Sequence, residues 1–188
     1  METQTIFFIG KPGCGKGDQT KLLSAKTSWP IYASGDLFRA IAKEDTPVGR
    51  KVKEENYAGI LQPYWFAMYL FLKTLFSVSN EESVIFDGFS RKIPEAELVI
   101  DAMRWLGRSF AVVHLRVSDD EIRKRIALRK ETDGRVDDAF VEKRLEEYRT
   151  YTEPCIDLFR KAEVLIEIDG EGTREKIAAD IIAAFNIK

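Results

Sequence analysis

Gly10-Lys11-Pro12-Gly13-Cys14-Gly15-Lys16-Gly17 follows an apolar run, Thr5 to Ile9, and precedes a stretch with helical character from about Lys16. Strand, glycine-rich loop and helix in that order make a phosphate cradle. Glycine lets the backbone take φ > 0 and come close to a ligand. Successive main-chain N–H groups at the positive end of the helix can then wrap phosphate oxygens. Lys16 supplies a mobile point charge for the outer phosphates. Gly17 stands where the usual loop has Ser or Thr, so no hydroxyl is offered there to a metal. Cys14 sits inside the loop with no base identifiable beside it, which argues against covalent catalysis.

Further along, short apolar runs with strand character occur at Ser83 to Phe86, Phe110 to Leu115 and Val164 to Ile168, with a weaker one at Pro30 to Tyr32. They are continuous rather than alternating, as strands covered on both faces require. Helical spacing fills the intervals, as in Ile122, Ile126 and Leu128, or Val141, Leu145 and Tyr148. Alternating strand and helix predicts an α/β fold with a parallel sheet. From Glu44 to Ser79 the pattern is mostly helical, punctuated by Pro47, Gly59 and Pro63. The aromatics Tyr64, Trp65, Phe66, Tyr69 and Phe71 in that stretch read better as packing of a small lobe than as a platform for nucleobases. His114, alone of its kind and inside a strand pattern, reads as a satisfied core or strand-end residue.

The chain of 188 residues carries Lys+Arg 29 against Asp+Glu 31, a formal net charge of -2. Such a balance excludes general electrostatic capture of nucleic acid or anionic membrane, although it allows a locally basic pocket. No apolar run approaches the roughly 18 residues a membrane span needs, and METQTIFFIG does not read as a signal peptide. Two cysteines and one histidine support neither a disulfide framework nor a zinc site. A soluble protein of the cytoplasm is the expectation.

The loop GKPGCGKGDQ resembles the GxPGxGKGTQ loop of adenylate kinases and other nucleoside monophosphate kinases. Three further segments in family order strengthen the resemblance: Ala33 to Arg39 is similar to STGDLLR, Asp87-Gly88-Phe89-Ser90-Arg91 to DGFPR, and Gly134 to Asp138 to the GRVDD of short-lid members. The resemblance implies a phosphate-loop three-layer fold with a five-stranded parallel sheet. Its core would comprise residues 1–33, 80–128 and 139–188, with a monophosphate-binding lobe at 34–79 and a short lid, without zinc, at 129–138. It implies transfer of the γ-phosphoryl of MgATP to AMP by a monomer whose partners are ATP, AMP and ADP. On that basis ATP would meet Gly13, Cys14, Gly15, Lys16, Gly17, Asp18, Arg129 and Gly172. AMP would meet Ser34, Arg39, Ile60, Leu61, Gln62, Gly88, Arg91, Glu95, Arg135 and Arg144. Lys16, Arg91, Arg129, Arg135 and Arg144 would be catalytic, because arginine's planar fork grips phosphate oxygens and stays charged. Asp36 and Asp87 would hold Mg²⁺ through water; the alternative for each is helix capping.

Three departures from the family bear on this reading. Asp18 stands where threonine is usual, and its carboxylate would repel a phosphate unless a metal, Lys21 or another cation compensates. Glu95 stands where glutamine reads adenine. An ionised glutamate only accepts hydrogen bonds, which suits the adjacent N–H donors of guanine, so relaxed or GMP-shifted acceptor choice is an alternative. The interval from Arg135 to Arg144 is two residues short, about 200° of helix. Either the helix begins later and keeps Arg144 facing inward, or Arg144 is misassigned. Asp18 and that interval also motivate a weakly active nucleotide-binding regulator as a second alternative.

Overall fold

The computed structural model describes residues 5–133 and 139–187. Five strands, β1 (Thr5–Gly10), β2 (Ile31–Ala33), β3 (Val84–Asp87), β4 (Phe110–Arg116) and β5 (Leu165–Asp169), form one sheet in the order β2-β3-β1-β4-β5. Every pairing is parallel. All five strands lie within a residue or so of the apolar runs, including the weak one. The glycine-rich loop therefore leaves the central strand, with chain departing to one side through β3 and to the other through β4. Ligands bind at such a reversal, outside the carboxyl ends of the strands.

Helices cover both faces. They are α1 (Lys16–Thr27), α2 (Ser34–Ile41), α3 (Pro47–Tyr57), α4 (Tyr64–Leu75), α5 (Ile93–Trp105), α6 (Asp119–Asp133), α7 (Val141–Glu147), α8 (Glu153–Lys161) and α9 (Arg174–Ala184). A π-helical turn, Tyr148–Thr152, joins α7 to α8. Alternation along β1 explains the two-sided core. Phe7 and Ile9 pack on one face with Phe86, Phe71 and Val99; Ile6 and Phe8 pack on the other with Val113, Ile122 and Ile177. The rings of Phe7 and Phe86 stack with centroids 5.0 Å apart, and Phe71 meets Phe86 edge-on at 5.2 Å. Phe86 is fully buried. Phe86→Ala should therefore cost about 3–5 kcal/mol through lost transfer energy and an unfilled cavity. Urea unfolding followed by circular dichroism measures it.

Along α6, Ile122 and Ile126 are buried while Leu128 is 65% exposed. One expectation from the sequence needs correction. In α4, Phe71 is fully buried, but Tyr64, Trp65 and Tyr69 are about half exposed or more. Only part of that aromatic cluster packs the lobe; Trp65 and Tyr69 border a shallow apolar groove with Val48 and Pro63. His114 is buried in β4 as expected and bonded on one side: Nε2 is 3.1 Å from the Tyr148 hydroxyl, while Nδ1 lies 3.4 Å from a Glu167 oxygen outside hydrogen-bond geometry. Burial lowers its pKa and favours the neutral ring.

Candidate active site

Gly15 opens α1 with φ 97, a conformation that a residue with a Cβ resists. Its carbonyl accepts from Asp18 N and Gln19 N at 3.1 and 3.0 Å, so the helix starts on the glycine itself. Earlier N–H groups of the turn are thereby left for an anion. Lys16 Nζ donates to Gly10 O at 2.7 Å and Lys11 O at 2.9 Å, with Cys14 Sγ at 3.4 Å. The ammonium is thus held over its own loop. Lys11 is engaged differently: its Nζ donates to Val117 O and sits 2.6 Å from Asp119. Of the loop's own two lysines, Lys16 is therefore the one held over the cradle. Cys14 is buried, consistent with a packing role.

Opposite the cradle, β3 ends in Asp87 and Gly88. Gly88 takes φ 73, and a Cβ there would run into the Arg91 guanidinium and press on Ser34 Oγ at 3.1 Å. The backbone must be bare for Arg91 to fold over it. Arg91 Nε donates to Gly88 O at 2.5 Å and NH2 to Ser34 Oγ at 3.3 Å, while Ser34 Oγ donates to Gly88 O at 2.8 Å. From the rear, Thr152 Oγ1 donates to Arg91 O at 3.0 Å. Arg91 is therefore oriented from three elements, as a phosphate-gripping fork requires. Ser90, the departure from DGFPR, lies at φ 65, which a proline ring cannot adopt. The loop reaches its turn by a different route.

Arg39 pairs with Asp36 within α2. α2 begins at Ser34 with Ala33 as its cap, so Asp36 is a first-turn acid and not an N-cap. Asp36 is exposed and turned to Arg39. Asp87 differs: a Cβ on Gly17 would lie 3.8 Å from its Oδ2, which places the carboxylate across from the start of α1. α5 starts at Ile93, so Asp87 caps no helix.

One cleft of about 1530 Å³ connects these groups. Single small-molecule sites run to roughly 1,000 Å³, so the cleft has room for more than one nucleotide-sized ligand. Its walls include the cradle, Ser34, Arg39, Asp87, Gly88 and Arg91, and also Ile60, Leu61, Gln62, Glu95, Arg129, Arg144 and Gly172. Arg144, in α7, lines the cleft. Arg135 and the GRVDD segment lie outside the described residues.

Leu61 N donates to Glu147 Oε2 at 3.2 Å, and Lys92 Nζ donates to Gln62 O at 3.0 Å. The loop before α4 is thus tied to α7 and α5. Glu95 is 3% exposed, and its Oε2 accepts from Arg91 N at 2.7 Å. Burial raises its pKa, against the opposing pull of Arg91 and Lys92. An ionised Glu95, as assumed from sequence, is therefore the disfavoured form relative to a solvated glutamate.

Two residues of this cleft escaped the sequence reading. Arg125 NH1 donates to Cys14 O at 3.2 Å and NH2 to Gly170 O at 2.8 Å, while Nε bonds Glu121 at 2.8 Å. It shares a helix face with Arg129, four residues on, and that spacing after a strand was the available signal. Arg174, at the start of α9, meets Asp18 at 3.0 Å. The cation that compensates Asp18 is thus Arg174 rather than Lys21.

A parallel three-layer sheet with a phosphate cradle on its central strand, faced by oriented arginines across a two-ligand cleft, defines a phosphate-loop nucleotide-binding protein of the phosphotransferase kind. The sequence model of adenylate kinase matches residues 8–164. Among curated relatives, adenylate kinase of Thermus thermophilus is 35% identical over 187 residues, covering 98% of each chain. That of Maricaulis maris is 33% identical over 186 residues, covering 97% of this chain and 99% of its own. That of Phocaeicola vulgatus is 34% identical over 182 residues, covering 95% and 96%. The chain belongs to the adenylate kinase family. No helix among the described residues is long and apolar enough to cross a membrane.

Proposed function

We propose that the protein transfers the γ-phosphoryl group of ATP to AMP, giving two ADP. The observation that carries this reading is the placement of the Lys16 cradle and the Arg91–Ser34–Gly88 cluster on facing walls of one cleft. Phosphoryl transfer asks little covalent help. It needs donor and acceptor phosphates brought into line, their charge neutralised and water excluded. Two polyanions repel, and the cations that offset this here are Lys16 on the donor side, Arg39 and Arg91 on the acceptor side, and Arg129 and Arg144 from α6 and α7. Arg135 joins them by family resemblance. The main chain around Gly13 to Gly17, with Gly172, would hold ATP; Ser34, Ile60, Leu61, Gln62 and Glu95 would line the AMP side.

Adenylate kinases generally use MgATP, and the residues present fit that ion. Among the described residues no cluster of three or more acidic, His or Cys groups could cage a metal. Mg²⁺ keeps most of its waters and takes the remaining ligands from phosphates, so Asp87 facing α1, with Asp36 more distant in role, would hold it through water. When bound, it supplies neutralisation of charge on the transferring phosphates.

The working division is a core of 1–33, 80–128 and 139–188, an acceptor lobe of 34–79 and a lid of 129–138. As a monomer acting on free nucleotides the protein would belong in the cytoplasm. A coupled assay of ADP formation from ATP with AMP, GMP, CMP or UMP tests the reading. AMP should be the preferred acceptor, and Arg91→Ala should lower kcat/KM about 10²–10³-fold, the scale for losing one oriented donor to developing charge. Preference for any other acceptor would reject it.

A further inference from the structure

Asp18 occupies the first turn of α1, immediately beyond the cradle. An acid there is welcome to the helix, because it satisfies the positive end of the dipole. For an anion-binding helix the same placement is a handicap, since the carboxylate competes with an incoming phosphate for the same potential.

The fold answers this from the far end of the chain. Arg174 NH2 lies 3.0 Å from Asp18 Oδ2. The guanidinium is exposed, but the backbone that carries it is fixed: the Arg174 carbonyl accepts from Gln19 Nε2 at 3.0 Å, and Gln19 is 2% exposed. Thr173 caps α9 by accepting from Lys176 N at 3.2 Å. Consecutive residues of α1 therefore meet the start of α9 through one partly buried hydrogen bond and one exposed ion pair. Asp18, Gly172, Thr173 and Arg174 all face the cleft beside the cradle.

We propose that Arg174 is a positioning residue of the donor site, which cancels the Asp18 charge and so sets how tightly the phosphate loop binds a nucleoside triphosphate. The inference rests on the reading of the cradle as the ATP site. Arg174 and Asp18 form a matched pair, in which the acid is tolerable only while the guanidinium faces it. Exposed ion pairs of this kind contribute little to stability, and the fold should not depend on it. Its effect falls on the ligand that carries several negative charges.

The test is calorimetric titration of the full chain with ATP and, separately, with AMP. Arg174→Ala should weaken ATP binding about tenfold, the scale expected when one fixed charge beside a polyanion loses its partner, and should leave AMP binding within twofold. Arg174→Lys should restore most of the loss. Asp18→Thr should bind ATP at least as tightly as the parent, and adding Arg174→Ala to it should change ATP binding less than twofold. An unchanged ATP affinity in Arg174→Ala overturns the proposal. So does a loss of equal size whether Arg174→Ala is made in the parent or in the Asp18→Thr protein, which would make Arg174 a direct ligand contact independent of Asp18. Lys16→Ala separates the two levels: retained ATP binding there defeats the donor-site reading itself, whereas its loss beside a silent Arg174→Ala defeats only this inference.

Discussion

Lys16→Ala is expected to lower kcat/KM for ADP formation about 10²–10³-fold or more, with little change in thermal stability. The rate effect follows from the ammonium's place over the cradle, between the Gly10 and Lys11 carbonyls, where no other cation of the loop can replace it. Lys11 is committed to Asp119, whose carboxyl is held below the ordinary range chiefly by the hydrogen bond from Lys11. Removing one preorganised positive group aimed at developing negative charge has that magnitude. Stability should change little, because Lys16 Nζ bonds only groups of its own loop, the Gly10 and Lys11 carbonyls and Cys14 Sγ, and sits at the cleft. Lys16→Arg should not rescue the rate: the guanidinium is a planar fork, not a compact point charge, and it overfills a turn that closes on two carbonyls. Steady-state kinetics with thermal melts of all three proteins checks this. A rate loss of less than tenfold in the alanine variant would mean that the loop does not bear the transferring phosphates.

Much of this arrangement was legible in the sequence because local chemistry dictates it. A positive φ at the start of α1 demands glycine, so Gly15 announces the cradle. Two-sided burial demands continuous apolar strands, so all five strands could be read, including the short β2. What escaped was whatever depends on partners distant along the chain. The compensation of Asp18 comes from Arg174, and nothing near Asp18 names it. Arg125 looks like any helix-surface arginine until its bonds to Cys14 and Gly170 are seen. The aromatic cluster of α4 is only partly buried, because spacing says which residues share a face and not how wide the buried stripe is. The short interval before Arg144 was ambiguous for a similar reason: the start of α7 decides its direction, and helix starts are set by capping and packing rather than by counting. Glu95 shows the same limit: the burial that raises its pKa comes from packing that its neighbours in sequence do not announce.

Selectivity for AMP over GMP is expected to fall as pH rises, and Glu95→Gln is expected to abolish the dependence. A neutral carboxyl can do what an amide does: its O–H donates to adenine N1, and its carbonyl oxygen accepts from the exocyclic amine. The ionised form can only accept, which leaves N1 unanswered and matches the paired N–H donors of guanine. Burial raises the pKa of Glu95, and the peptide N–H of Arg91, 2.7 Å from Oε2, together with the charges of Arg91 and Lys92, opposes that rise. Because the shift is upward, the neutral adenine-reading form predominates below the raised pKa and is lost as pH climbs through it. The ratio of kcat/KM for AMP to that for GMP should therefore be highest at acidic pH and decline toward alkaline pH. Taking the ratio removes the titration of the acceptor's phosphate, which the two nucleotides share, and of every enzyme group that serves both. A site left with one mismatched buried polar group typically discriminates by about 10²-fold or more, so the decline should span at least an order of magnitude. In Glu95→Gln the amide cannot ionise, and the ratio should stay high and flat. A flat ratio in the parent protein would show that Glu95 does not read the base through its proton. A slope that survives in Glu95→Gln would assign the titration to another group and overturn this role for Glu95; the Cys155 thiol, which burial pushes up to about 12, lies outside the range of the assay.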